Sequence, residues 1–219
     1  MFEDVFIAIY THRCKSYCDD VFFNNLFSSD IGSASVSIVD NSPDIDYYHE
    51  LYEKYGHRAY VDHIVVDRGE KRIQFMKNVE ASLYGLRRKF LDGPYDYFVI
   101  LESDVAPKNK KWLHYFMEVV DQADIIGGLY YDGFHTPEMW QGPPRLIPVM
   151  HALSGCTLYK RELLERFNFR SSGDNPHAFP DAWMSLDARE AGFKIANYTK
   201  IQCTHLADNN GGRGIENIN

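Results

Sequence analysis

Two carboxylates, Glu102 and Asp104, stand one residue apart at the end of an apolar run, "YFVIL" at 97–101, that reads as a buried strand and is stopped by Pro107. On an extended chain, residues i and i+2 point the same way, and a turn directly after them lets both carboxylates share a target. Oxygen ligands of this kind suit Mg²⁺ or Mn²⁺ better than zinc, and Mg²⁺ is typically held by one or two protein carboxylates plus the phosphates of a substrate. A solvated turn with a capping Asp before the "PKNKKW" helix accounts for the same residues, so on the motif alone both readings stand. His205, in "CTHL" at the end of the last apolar run, is a ligand candidate only if its strand ends beside Asp104. Otherwise it is an ordinary core or surface histidine. Asp181, in "FPDAWMSLDAREAG", is either a helix N-cap or a general base at a helix start, behind a loop that shapes a pocket.

The elements that must position these groups alternate along the chain. "VFIAIY" (5–10), "SVSIVD" (35–40), "HIVVD" (63–67) and "YDYFVILESD" (95–104) read as strands. Between them, 14–29, 44–56 (with Gly56 as its stop) and 73–90 read as helices. In the last of these Phe75, Met76, Val79, Leu83 and Leu86 share a face. Strand–helix–strand repeated with short connections predicts a parallel sheet covered by helices, in which ligands bind beyond the carboxyl ends of the strands. Each predicted strand tip is polar: Thr11-His12-Arg13, Asp40-Asn41, Asp67-Arg68-Gly69 and Glu102-Ser103-Asp104. Turn chemistry explains any one of them; four on one edge of a sheet point to a site. Further on come a helix (110–122), a strand with a Gly-Gly bulge or close approach (123–133), and a proline-rich excursion (134–150). A strand running into a helix (154–167), a loop (170–180), a helix ended by Gly192 (181–195) and a last strand (196–206) follow.

Composition narrows the function classes. The chain has 219 residues, 45% hydrophobic and 25% charged, which supports a globular core. Its 15 Tyr and 14 Phe suit a ring-lined cleft or a plain aromatic core alike. The formal net charge of −8, with "LRRKF" (86–90) as the densest basic run, counts against a nucleic-acid partner gripped through its phosphates. The four cysteines form no CxxC pair; Cys14 and Cys18, four apart, are a two-ligand clip or two ordinary thiols. "MFEDVFIAIY" lacks the basic start and long apolar stretch of a secretory signal, and no segment approaches the roughly 18 apolar residues of a membrane span. The expectation is a reduced, soluble, cytoplasmic protein.

The ordered series "VFIAIYTHR", "SVSIVDNSPD", "KNVEASLYGLR", "YFVILESDV", "SGCTLYKRELLERF" and "FPDAWMSLDAREAGFKI" resembles nucleotide-sugar glycosyltransferases of the GT-A fold, especially the inverting family 2 type, over roughly residues 4–206. The resemblance implies an α/β fold with a Rossmann-like, mostly parallel central sheet and flanking helices. It implies one domain over 1–206, with a nucleotide-sugar-binding half (1–107) and an acceptor and catalytic half (108–206), and a polar tail or lid at 207–219. "IVDNSPD" is similar to the family's "VVDDGSTD", which implies a base contact for Asp40. Thr11 and Arg13 fall where the first-strand loop touches the nucleotide, and Lys77 and Asn78 resemble the segment bordering the donor. "ESD" matches the DxD element: Asp104 for the metal, Glu102 in place of the first Asp for the ribose, and Ser103 between them. His205 falls at the position of a third metal ligand. "FPDAW" resembles the segment carrying the catalytic base, hence Asp181, with Pro180 where a Glu is usual.

The activity so implied is transfer of a sugar from a nucleotide-diphosphate sugar, UDP-sugar favoured, to a glycan or other hydroxyl acceptor. It is inverting and assisted by Mn²⁺ or Mg²⁺. The QxxRW motif of processive synthases is absent from the sequence, so transfer is expected to be non-processive. Among the aromatic residues of 130–140 (Tyr130, Tyr131, Phe134, His135 and Trp140), Trp140 is the candidate platform for an acceptor sugar ring, a core role being equally open. His151 and Asp132 are open to contact with donor or acceptor but carry no assignment. Two readings compete: a catalytically silent nucleotide- or sugar-binding domain, and a sugar-phosphate nucleotidyltransferase. The latter is disfavoured because "IYTHRCKSY" has no glycine-rich loop.

Overall fold

Runs that are apolar at every position make strands that are buried on both faces. β1 (Val5–Thr11) is buried throughout, and β2 (Ser35–Asp40) and β4 (Tyr97–Glu102) are buried along their centres. The computed structural model describes residues 2–65, 71–130, 137–171 and 179–206. Alternation along the strands builds two core layers. Ile7, Ile9, Val99 and Leu101 face one side, covered by Phe22, Phe23 and Leu26 of α1 (Asp19–Ser28), Tyr47 and Leu51 of α2 (Asp46–Tyr55), and Trp112 and Phe116 of α4 (Trp112–Val119). Phe6, Ala8, Tyr10, Phe98 and Ile100 face the other, against α3 (Lys71–Asp92), α5 (Arg161–Arg166) and α6 (Pro180–Glu190). Burying one large apolar side chain contributes roughly 1.5–3 kcal/mol, which fixes which face of each helix meets the sheet. On α3 that face is Met76, Val79, Leu83, Leu86 and Phe90, at spacings of three and four. Phe75, expected on it, lies about one helical step off the stripe and is 47% exposed, its ring edge-on to Phe179.

The nine-stranded sheet has the order β3-β2-β1-β4-β8-β6-β9-β5, with β7 also paired to β9. Its remaining strands are β3 (Tyr60–His63), β5 (Val105–Pro107), β6 (Ile125–Leu129), β7 (Leu146–Pro148), β8 (Cys156–Lys160) and β9 (Ile195–His205). β3, β2, β1 and β4 are mutually parallel. β8 runs antiparallel between β4 and β6, and β6 is parallel to β9. β5 and β7 oppose β9. The result is the mostly parallel α/β sheet with flanking helices expected from the sequence.

The details differ where pairing overrides pattern. The third strand ends at His63 instead of beginning there, because its parallel partner β2 ends at Asp40, which pairs with His63. Its expected residues 66 and 67 lie outside the described residues. The helix expected over 14–29 opens as a 3₁₀ segment, Arg13–Cys18, before α1. The Gly-Gly of β6 does mark an irregularity: its register against β9 shifts between Gly127 and Leu129. A Cβ on Gly127 would sit 2.4 Å from Asn197 Oδ1. Gly192 ends α6 at φ +87°, a left-handed conformation that suits glycine. The segment 207–219, and with it Tyr131, Asp132, Phe134 and His135, lies outside the described residues.

Candidate active site

The parallel register lines up the strand tips. Thr11 pairs with Asp40, and Tyr10 pairs with Glu102. Beyond the tip of β4, the chain turns at Ser103-Asp104 into β5, a three-residue strand that pairs with the end of β9, setting Val105 opposite His205. This pairing brings Asp104 and His205 together: His205 Nε2 lies 3.5 Å from Asp104 Oδ2. The condition the sequence set for His205, that its strand end beside Asp104, is met.

Glu102 and Asp104 share a cation from the loop after β1. The Lys15 ammonium is 2.9 Å from Asp104 Oδ1 and 3.6 Å from Glu102 Oε2, and 5.9 Å from the centre of the Tyr10 ring. Burial works against the charge on Lys15, but the Glu102 and Asp104 carboxylates outweigh it and hold its pKa above the ordinary lysine value. Burial likewise pushes Asp104 up, yet its bond with His205 and the pull of Lys15 leave it below the usual carboxylate range. The same bond to Asp104 raises His205. Glu102 Oε1 accepts a short bond from the Tyr10 hydroxyl and another, of 2.8 Å, from Ser154 Oγ. Burial first, then the Glu102 charge, keeps the Tyr10 phenol protonated well above its ordinary range.

Ser154 also ties this cluster to Asp181. Its backbone N–H donates to Asp181 Oδ2 at 2.9 Å, while its hydroxyl holds Glu102. Asp181 is buried at 5% exposure. It is the second residue of α6, after Pro180 in the first position, so Phe179 is the N-cap and Asp181 is not. Asp181 Oδ1 still accepts the Ala182 N–H at 2.8 Å, and Oδ2 lies 3.3 Å from His151 Nε2. The two backbone bonds fix the carboxylate in one orientation.

The other residues proposed from the sequence spread along the same strand tips. Asp40, wholly buried, accepts from the Ser42 N–H at 2.8 Å, from the Ser42 hydroxyl, and from His63 Nδ1 at 2.9 Å. Thr11 and Ser103 are buried and bonded hydroxyl to hydroxyl at 2.9 Å; the chain continues through Tyr47 to Asp19. Their side chains lie behind the cluster. Arg13 turns towards α2, meeting Glu50 at 3.1 Å and Asp44 at 3.5 Å. Lys77 is exposed and Asn78 half-buried on α3, whose Ser82 receives a bond from Asn41 Nδ2. Trp140 closes a short 3₁₀ turn (Pro137–Trp140), and the Lys108 ammonium, one residue past the end of β5, lies 5.7 Å from its ring.

Tyr10, Lys15, Ser42, His63 and Ser154 were not singled out from the sequence as site residues, and His151 was named there without a role. Only Ser154 had a visible signal, the glycine after it: a Cβ on Gly155 would come within 2.6 Å of the Tyr130 ring, so the turn must be bare.

Among the described residues no three His, Cys, Asp or Glu side chains converge as a cation cage. Asp104 and His205 nonetheless fit a two-residue donor set. Asp104 Oδ1 is buried with no aligned hydrogen bond, His205 Nδ1 is likewise unpaired, and a carboxylate with an imidazole suits Mn²⁺ once phosphate oxygens complete the shell.

No protein-family model matches the chain, and no curated protein matches its sequence. Solved structures do match its fold, which is that of GT-A-type glycosyltransferases. A fragment of S. aureus TarS (residues 1–349) in complex with UDP aligns with a TM-score of 0.67 at 14% identity, over 92% of this chain and 60% of that one. The mannosyltransferase PcManGT from Pyrobaculum calidifontis, in complex with GDP-Man and Mn²⁺, aligns with a TM-score of 0.66 at 15% identity, over 95% and 58%. GalNAc-T7 with UDP, GalNAc and Mn²⁺ aligns at 0.62 and 10% identity, over 93% and 44%. The chain thus spans about 60% of the length of the TarS fragment. Among the described residues no helix is long and apolar enough to cross a membrane.

Proposed function

We propose that this protein is a glycosyltransferase that moves a sugar from a nucleotide-diphosphate donor, UDP-sugar favoured, to an acceptor hydroxyl, with inversion and without processive extension. The observation that carries the reading is the Ser154 bridge, which holds Glu102 and Asp181 on one residue, 2.8 Å and 2.9 Å away. A donor-side carboxylate and a base-type carboxylate are thereby kept in one corner, beside Asp104 and His205. TarS solved with UDP-GlcNAc and PcManGT solved with GDP-Man support the donor class.

In this reading the nucleotide lies over the tips of β1, β2 and β4. Asp40, steadied by Ser42 and His63, keeps unused acceptor capacity for the base; a carboxylate has about four lone-pair sites. Glu102, with Oε1 held by Tyr10 and Ser154, presents Oε2 to a ribose hydroxyl. Thr11 and Ser103 brace the turn from behind, Arg13 orders the α2 side, and Lys77 and Asn78 border the donor. Asp104 and His205 would hold a divalent cation, Mn²⁺ or Mg²⁺, which supplies Lewis-acid stabilisation of a leaving diphosphate. Asp181 removes the proton of the attacking hydroxyl, a poor nucleophile near neutral pH, and such a base contributes roughly 10²–10⁴-fold. Trp140 is retained as the acceptor platform for a glycan; the acidic balance disfavours a nucleic-acid acceptor. Asp181→Asn is expected to keep UDP binding by calorimetry while transfer from the preferred donor falls by about 10²–10⁴-fold. Full transfer by that variant removes Asp181 from the base role.

A further inference from the structure

Lys15 was assigned nothing above, yet among the described residues it is the lysine whose ammonium meets both donor-side carboxylates. Its side chain is only 16% exposed, an uncommon place for a lysine unless it is paired. It leaves the 3₁₀ segment after β1 and reaches across the strand tip to Asp104 Oδ1 and Glu102 Oε2. The contact with Asp104 is one of charge rather than of geometry, since Oδ1 makes no aligned hydrogen bond. The ammonium is held by two carboxylates at once, on a four-carbon stem that can re-aim. Two adjacent carboxylates repel a diphosphate, so a donor site built on them needs a positive charge at this point.

We infer that Lys15 is a diphosphate-binding residue of the donor site: its ammonium neutralises Glu102 and Asp104 in the empty site and is the group that receives the phosphate oxygens of a nucleoside diphosphate. The inference rests on the donor-site reading above and deepens it. It gives the site a phosphate contact that works without a divalent ion, and it makes Lys15 a competitor of any such ion for Asp104 Oδ1. The three N–H donors of the ammonium suffice to bridge carboxylate and phosphate together.

The test is calorimetric titration of UDP, GDP and uridine into the wild type, Lys15→Met and Lys15→Arg, in EDTA and again in Mn²⁺, with Mn²⁺ titrated separately into nucleotide-free protein. A charge-assisted bond of this kind corresponds to about a 10- to 100-fold change in affinity. The expected result is measurable binding of UDP or GDP to the wild type in EDTA, weakened by that factor in Lys15→Met and largely kept in Lys15→Arg. Uridine affinity should be unchanged by either substitution. Nucleotide-free Lys15→Met should bind Mn²⁺ more tightly than the wild type, which a variant that had merely lost structure would not do. If the wild type binds nucleotide in Mn²⁺ but not in EDTA, or Lys15→Met binds as well as the wild type in EDTA, Lys15 has no such role and the donor site stands without it. If neither nucleotide binds under any condition, the donor site and the inference fall together.

Discussion

Asp40 and Asp104 look alike in the sequence, each an acidic residue ending or following a strand, and both are buried at the same sheet edge. Their surroundings differ. Both oxygens of Asp40 face neutral or histidine donors supplied by nearby chain, Ser42 and His63. Asp104 faces a lysine it does not hydrogen-bond squarely and a histidine delivered from the far end of the chain, and its Oδ1 has no aligned donor. A buried carboxylate without full hydrogen bonding is costly. The proposed function gives that difference a reason: Asp40 is held by its own neighbours, whereas Asp104 is left with an oxygen that a ligand would complete.

The largest effect expected from this contrast is on function. Asp104→Asn should lower transfer, and UDP affinity in Mn²⁺, by about 10²-fold or more, because the variant loses the charge that gathers a cation. Its stability should fall as well, because the depressed Asp104 pKa means the fold favours the charge, and Lys15 and His205 lose that partner. Asp40→Asn should act mainly on stability. An amide NH₂ turned towards His63 replaces an acceptor with a donor, and urea unfolding should register a loss of about 1–2 kcal/mol. If the unused lone pair of Asp40 meets the base, UDP affinity falls by about 10-fold as well; unchanged affinity would leave Asp40 a purely structural residue. Equal losses of UDP affinity in Mn²⁺ in the two variants would erase the contrast.

Much of this edge was legible because continuous apolar runs ending in polar tips are what a sheet covered on both faces requires. β1, β2 and β4 fall where their runs fall, and the helix stripe of α3 misplaces only Phe75. The corner itself was less legible, because its partners are far apart in sequence. Tyr10 meets Glu102 across 92 residues and Ser154 meets Glu102 across 52, and these meetings are set by strand register, which a single sequence does not display. The three-residue strand β5, with a proline in it, has too little pattern to be seen, yet it carries His205 to Asp104. Lys15, on the 3₁₀ segment, and His151, in a loop, are single polar residues, indistinguishable from solvated ones until the carboxylates beside them are located.

A third buried carboxylate sharpens the contrast at a smaller scale. Asp19 lies behind the cluster, at the end of the Ser103–Thr11–Tyr47 chain, and both its oxygens accept from the Tyr47 hydroxyl, at 2.8 Å and 2.9 Å. Burial raises its pKa from 3.8 to about 6, against the opposing pull of the Tyr47 bond and of Lys54. Because the folded-state value is the higher one, the folded protein binds the extra proton. The contribution is therefore fully present below about pH 4 and is lost as pH rises through about 6. Solvent on one side of the group reduces the full linkage value, leaving about 1–2 kcal/mol of destabilisation at neutral pH. Asp19→Asn keeps an acceptor for Tyr47 and carries no charge. It should raise stability by that amount at pH 7.5, match the wild type near pH 4, and flatten the urea-derived stability profile between them. A profile that stays as steep in the variant would mean that the proton is bound elsewhere, and that Asp19, like Asp40, is fully compensated by its hydrogen bonds.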